Sequence, residues 1–405
     1  MSDVQVHTRF ACSPDAGRLT SSARSRNAPT IAFRSALKTT AQGSVVRVVH
    51  ASVDAMLDRR ALSDALGHEV SHVRRTPLPQ PHSSTEAVFE RVSTDGTKAA
   101  AQLVLKIIDR SRDWVAIATG DMIDREVAFW ESGTLDRLPP HAGHAIVSAA
   151  RYPGGSAILM RDLAAGFIDD DDPRFAAYNA AILRSLAAAH AAFWQDRSLA
   201  SLSSAACTLA AFTSHLAPTH LPSLRAAIPG HFIIDVIDEG WQTLPDLIGP
   251  AMAAQMRALA VDPSPVVRAL SAFPSTLLHT DVRPENIAYD GRQIVFIDWA
   301  RPSVGPPGID LAYFLLMSHG PIGDSADDIV AKYRRHLDAA LRTGETAGWW
   351  EEQLEVCIAS VFATMAPVNH ALELESADRR DRPDHERIQW WAQRAARGLR
   401  CIERA

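Results

Sequence analysis

Hydrophobic and polar positions change period along the chain, and the changes mark out its elements. Between residues 52 and 66, Met56, Leu57, Leu62 and Leu66 fall at partly helical spacing, with Gly67 placed to cap the end. The period then shortens. Residues 68–78, 87–92 and 101–108 read as three strands, the last two joined around Asp95-Gly96. A helix is predicted over 121–132, with Ile123, Val127 and Trp130 as its core-facing stripe. Residues 144–150 and 156–160 form a further strand pair around Pro153-Gly154-Gly155.

Beyond residue 162 the pattern is mainly helical. The run Asp169 to Asp172 before Pro173 suits a helix N-terminus, where carboxylates complement the macrodipole. That helix continues to about Trp194, with Phe175, Tyr178, Ile182, Leu186 and Phe193 on one face and His190 beside them as a packed core histidine. Prolines punctuate residues 197–275, where 231–237 fits either a strand or a helix. Residues 301–308 read as a Pro/Gly loop, Asp310 opens a helix through Leu316, and further helices are predicted at 327–342, 349–365 and 384–400. The expected fold class is α+β, a small antiparallel sheet lobe with one key helix followed by a larger helical lobe.

Two polar interruptions of apolar runs carry chemistry. Lys106 sits in Gln102-Leu103-Val104-Leu105-Lys106-Ile107-Ile108, where it loses hydration and needs an anion. Glu126 lies beside the stripe of the next helix and is its natural partner; a plain buried salt bridge is the bland alternative. The second interruption is His279-Thr280-Asp281-Val282-Arg283-Pro284-Glu285-Asn286, followed by Ile294-Val295-Phe296-Ile297-Asp298-Trp299. Asp290-Gly291 predicts a hairpin with a two-residue turn between them. Folding back brings Asn286 and Asp298 to one end, where an amide oxygen and a carboxylate can share a hard cation. Asp281 lies close enough to face that cation's substrate, a spacing that suits phosphoryl transfer.

This ordered set resembles the catalytic core of the kinase-like fold. Ile297-Asp298-Trp299 with Gly308-Ile309-Asp310-Leu311-Ala312 is similar to its aminoglycoside phosphotransferase and choline kinase branch. The resemblance implies two lobes, residues 46–162 and 163–405, with ATP and Mg²⁺ between them. It implies that Lys106, held by Glu126, meets the α and β phosphates, and that Asn286 and Asp298 bind Mg²⁺. Asp281 then serves as base or orienting group for an acceptor hydroxyl, and His279 braces the loop. Arg283 either meets the γ-phosphate or pairs with an acid. Backbone near Met160 to Asp162 is the expected adenine hinge. Protein kinases carry a glycine-rich loop before the second strand; this chain has Ser83, Ser84 and Thr85 there, as the small-molecule branch often does. Asp310 resembles the aspartate that accepts backbone hydrogen bonds from the catalytic loop, with a helix N-cap as its bland role. Only eleven residues separate it from Asp298, which leaves little room for a long activation segment and favours a small acceptor.

Composition narrows the rest. The chain has 405 residues, 47% hydrophobic and 22% charged, as in ordinary globular proteins. A formal charge of -6 gives no broad electropositive field, which argues against nucleic acid. No uninterrupted apolar run approaches the roughly 20 residues of a membrane span. Cys12, Cys207, Cys357 and Cys401 lack disulfide-framework or zinc spacing, so a reducing cytoplasm is expected. Residues 1–45, rich in Ser, Thr, Ala and Arg without periodicity, read as a disordered tail. Trp349-Trp350 and Trp390-Trp391 invite a cation-π site, but adjacent helical residues diverge by about 100°, so three of the four are expected in the core. Between Glu373 and Glu386 six acids are interleaved with Arg379, Arg380 and Arg382, a poor site for a polycation. The expected activity is ATP-dependent phosphorylation of a small-molecule hydroxyl. A catalytically silent nucleotide-binding protein on the same scaffold and a metal phosphoesterase built on His279 and Asp281 are the alternatives. Oligomeric state leaves no trace in the sequence.

Overall fold

The computed structural model describes residues 47–78, 86–96, 101–168, 175–318, 324–342, 348–375 and 385–405. The expected tail at 1–45, the hydroxyl run Ser83 to Thr85, the acids Asp169 to Asp172 and most of the mixed-charge stretch after Glu373 lie outside the described residues.

Strands follow the alternating runs. In chain order they are β1 (Val49–His50), β2 (Val70–Pro77), β3 (Val88–Gly96), β4 (Ala101–Asp109), β5 (Ala142–Gly143), β6 (Ile146–Tyr152), β7 (Gly155–Arg161), β8 (Thr276–Leu278), β9 (Ile287–Tyr289), β10 (Ile294–Phe296) and β11 (Ser303–Gly305). Six of them make one sheet in the order β1-β6-β7-β4-β3-β2, antiparallel apart from the short edge pair β1 and β6. Alternation gives β4 two different faces. Leu103 and Leu105 point to a cluster with Met56, Leu62, Val92 and Leu159. Lys106, one residue on, therefore points the other way, towards the helical lobe.

The predicted helix over 52–66 is two helices, Val53–Met56 and Arg59–Leu66, because Asp58 stops the first and caps the second by accepting from Arg60 N and Ala61 N. Gly67, at φ +70°, closes it as expected. The helix predicted from 121 begins only at Arg125. Asp121 bonds the backbone N–H groups of Ile123 and Arg125, Asp124 takes φ +58°, and Ile123 is left exposed instead of joining the stripe. Val127 and Trp130 are buried. A helix not anticipated, Trp114–Thr119, precedes it, started by Asp113 and stopped by Gly120 at φ +65°. The lobe thus carries more than one helix.

In the helical lobe, residues 231–237 resolve as the start of the helix Phe232–Ile248. The long helix Trp350–Glu375 packs against it and against His385–Arg404 and Gly308–Met317. Glycine sets two of these approaches. A Cβ on Gly240 would lie 2.2 Å from Pro367 O, and one on Gly398 would lie 2.1 Å from Glu355 O. Along the apolar span Trp350–Leu372, residues 353–371 are buried there. Trp350 and Trp391 are in the core, with Trp349 and Trp390 packed partly buried against it.

Two small sheets frame the polar loops. β9 and β10 pair antiparallel, with β10 also parallel to β5. The turn between them is shifted by one residue from the prediction: Asp290 N donates to Gln293 O, so Gly291 (φ +90°) and Arg292 form the tip. The expected Pro/Gly loop contains β11, which pairs with β8, Leu278 opposite Ser303. That pairing brings residues 279–286 alongside residues 297–302.

Candidate active site

The loop after β8 is held from beneath by Asp310. This residue lies inside the helix Gly308–Met317, whose N-cap is Pro307, and is fully buried. Its Oδ2 accepts from His279 N at 2.8 Å and its Oδ1 from Thr280 N at 2.7 Å. It therefore carries the backbone-holding role, not the cap. His190, expected as a core histidine, is buried with its Nε2 3.1 Å from Asp310 Oδ2. Thr280 is kept at φ +62°, and its hydroxyl donates to Arg301 O at 2.6 Å.

His279 is fixed by two backbone groups. Ile297 O lies 2.9 Å from Nε2, and Asp281 N donates to Nδ1 at 3.2 Å. A carbonyl only accepts and an amide only donates, so Nε2 carries the hydrogen of a neutral ring. Burial, opposed by Asp310 and Asp281, lowers its pKa and favours that form. The ring is a brace between the loop and β10, packed on Trp299.

Both oxygens of Asp281 are engaged. Asn286 Nδ2 donates to Oδ2 at 2.9 Å and to Asp281 O at 3.0 Å. Arg301 Nη2 lies 3.1 Å from Oδ1, and Arg283 Nε lies 3.6 Å from it. Burial alone would push this carboxyl up, but Arg283, Arg301 and the Tyr313 hydroxyl hold it well below the usual carboxylate range. Arg283 thus pairs with an acid, and also approaches Glu285 at 4.0 Å.

Across the loop, Lys106 joins the two lobes. Its Nζ is 3.3 Å from Glu126 Oε2, as the sequence implies, and 2.7 Å from Asp298 Oδ1. Glu126 Oε1 accepts from Trp299 N at 3.1 Å, tying the helix Arg125–Glu131 to the residue after Asp298. Burial disfavours the Lys106 charge, but Asp298 and Glu126 outweigh it and keep the ammonium protonated. Asp298, at φ +62°, is held low against its burial chiefly by Lys106, whereas burial dominates and raises Glu126.

The donors suit a small hard cation. The Asn286 amide nitrogen is committed to Asp281, which turns its oxygen elsewhere, and Asp298 adds a carboxylate one strand away. One amide and one carboxylate are a partial set of the kind Mg²⁺ takes, completed by water and phosphate oxygens. Among the described residues no cluster of three His, Cys, Asp or Glu side chains forms a closed metal cage.

Met160 lies in β7 opposite Val104 and Ile146, and is buried. Asp162 sits 3.5 Å from Arg91 and accepts from Ala164 N. The backbone N–H groups of Arg161 and Asp162 donate to Ala145 O and Gln102 O. Ser84 lies outside the described residues. A surface depression of about 560 Å³, lined by Gln195, Arg197, Cys207, Phe273 and Val304, contains none of these residues. The sequence reading missed Arg301, Tyr313, His215 and Trp114. Arg301, three residues after Asp298, carried no signal beyond being a base in a Pro/Gly run.

Residues 157–349 match the family model described as Phosphotransferase enzyme family. This match shows the phosphotransferase resemblance read from the sequence. No curated protein sequence matches the chain. Solved structures similar to it include an ethanolamine kinase of Plasmodium vivax, 14% identical, covering 80% of this chain and 82% of that one with a TM-score of 0.45. A choline kinase of Streptococcus pneumoniae is 13% identical over 87% of this chain and all of that one, with a TM-score of 0.39. An aminoglycoside phosphotransferase of Streptomyces rimosus, solved in complex with ADP and streptomycin, is 14% identical over 73% and 92%, with a TM-score of 0.40.

Proposed function

We propose that the chain is an ATP-dependent O-phosphotransferase that moves the γ-phosphoryl group to a hydroxyl of a small molecule. The observation that carries this reading is the Lys106 ammonium shared between Glu126 and Asp298, beside a loop that presents Asp281. A buried cation bounded by two carboxylates fits a site where phosphate and a divalent ion are both bound.

In this reading Lys106, steadied by Glu126, contacts the α and β phosphates, and Asn286 and Asp298 hold Mg²⁺. The metal supplies charge neutralisation on the phosphate oxygens when bound. Asp281 receives a hydrogen bond from the acceptor hydroxyl and aligns its oxygen with the γ-phosphorus, then takes the proton as the new O–P bond forms and the bond to ADP breaks. A carboxylate held so low by two guanidinium groups is a weak base, so alignment is its larger contribution. His279 holds the loop and moves no proton.

The test is ADP release from MgATP against amino alcohols, monosaccharides and aminoglycosides, with mass spectrometry of the acceptor. An acceptor gaining one phosphoryl group supports the reading. MgATP-stabilised melting without any transfer would point to the silent nucleotide-binding alternative.

A further inference from the structure

His215 is the C-cap residue of the helix Leu209–Ser214 and is fully buried. Its Nδ1 is 2.5 Å from Phe212 O, a carbonyl near the helix end with no continuing turn to serve. A capping histidine needs nothing further, and that would be the bland account of it. The other ring nitrogen has a second contact: Nε2 is 2.5 Å from Arg301 Nη1. Phe212 O only accepts, so Nδ1 carries the hydrogen; Arg301 only donates, so Nε2 offers its lone pair. One tautomer of the neutral ring meets both demands.

Arg301 is a planar fork, and its two prongs have different partners. Nη1 goes to His215, while Nη2 lies 3.1 Å from Asp281 Oδ1, 3.3 Å from Thr280 O and 3.2 Å from the Tyr313 hydroxyl. Fixing one prong fixes the plane, and hence where the other meets the carboxylate. The imidazole is itself held flat. Trp114, on the short helix of the sheet lobe, stacks over it with centroids 6.1 Å apart and planes 17° apart, and Phe212 packs beside it.

We infer that His215 is a positioning residue for the transfer reaction, acting through Arg301 to orient Asp281. The inference rests on the phosphotransferase reading above. It gives the Trp114–Thr119 helix a role as well, since seating that helix on the helical lobe sets the plane of the ring that steadies Arg301.

The test compares His215→Gln, whose amide oxygen reaches the place of Nε2, with His215→Leu and His215→Asn, which present no acceptor there. ADP release is measured with MgATP and a pool of amino alcohols, monosaccharides and aminoglycosides, alongside MgATP affinity and Tm. The expected result is a fall in kcat of roughly 10- to 100-fold for Leu and Asn, the scale of a small misalignment, with MgATP affinity unchanged and kcat largely kept in Gln. If Leu fails to fold, the contrast of Asn with Gln carries the same information. Equal kcat in Asn and Gln at matched Tm, or kcat within two-fold of wild type in Asn or Leu, would overturn it. A wild-type protein that releases no ADP with the pool would instead overturn the phosphotransferase reading, and this inference with it.

Discussion

Arg301 Nη2 lies 3.1 Å from Asp281 Oδ1, and the guanidinium that makes this contact is only 5% exposed. The pair joins the loop after β8 to the residues before β11 at the point where the acceptor hydroxyl is proposed to bind. Removing Arg301 leaves Asp281 buried with one guanidinium fewer. Arg301→Met is expected to raise the Asp281 pKa, so activity is lost at a higher pH on acidification than in wild type. It is also expected to cost about 3–5 kcal/mol of stability, the scale for breaking a buried pair. A kcat–pH profile and urea titration check both; an acid limb that does not move would contradict the electrostatic part.

Lys106 is expected to matter for nucleotide more than for folding of the helical lobe. Lys106→Met leaves Glu126 and Asp298 facing each other without their cation, and MgATP affinity is expected to fall by at least roughly tenfold, or about 1.4 kcal/mol. Asp298→Ala is expected to abolish Mg²⁺-dependent ATP binding. Titration calorimetry reads both; unchanged affinity in Asp298→Ala would show the metal site to be misplaced.

Buried neutral histidines give stability a pH dependence of known sign. Burial lowers the pKa of His215, His279 and His144 below the ordinary 6.5. Below about pH 6.5 the unfolded chain therefore takes up protons that the folded chain does not, so their contribution is full above that pH and declines as pH falls. Glu126 and Asp113, raised by burial, act in the opposite sense from about pH 4 upward. Comparing wild type with His215→Gln cancels them. The urea midpoint is expected to drop between pH 7.5 and pH 5.5, and to drop less in the variant, since each such histidine contributes up to about 1.4 kcal/mol per pH unit. An identical drop in both proteins would show that His215 is not held neutral.

Leu62 separates folding from catalysis. It is fully buried on the sheet face opposite Lys106. Leu62→Ala is expected to cost about 2–5 kcal/mol while leaving MgATP affinity per folded molecule unchanged. Chemical denaturation and calorimetry decide it; weakened binding at full folding would mean that the far face of β4 sets the position of Lys106.

What could be read from the sequence was what one element or its neighbour determines. Lys106 stood out because an apolar strand isolates it, and Glu126 because helical spacing put it beside the Val127 and Trp130 stripe. Asp281, Asn286 and Asp298 lie within one hairpin unit. Arg301, Tyr313 and His215 were not legible as a set because they come from separate elements, and Arg301 is placed by β11, a three-residue strand paired with β8 in a run that reads as turn. Trp114 was missed although Asp113 and Gly120 are ordinary start and stop residues; a six-residue helix between them leaves too little periodicity to see. The late start of the helix at Arg125 comes from a side-chain bond of Asp121 that competes with the first turn.

Phosphoryl transfer directed by Asp281 is tested most directly with ATP labelled at the γ-phosphate. Wild type and Asp281→Asn are incubated with MgATP and the acceptor pool, and the rate of label appearing on an acceptor hydroxyl is measured beside MgATP affinity. The account predicts transfer by wild type and a rate lower by roughly 10² to 10⁴ in Asp281→Asn, with affinity nearly unchanged. Transfer by the variant within a few-fold of wild type, or a wild type that binds MgATP and labels nothing, would contradict it.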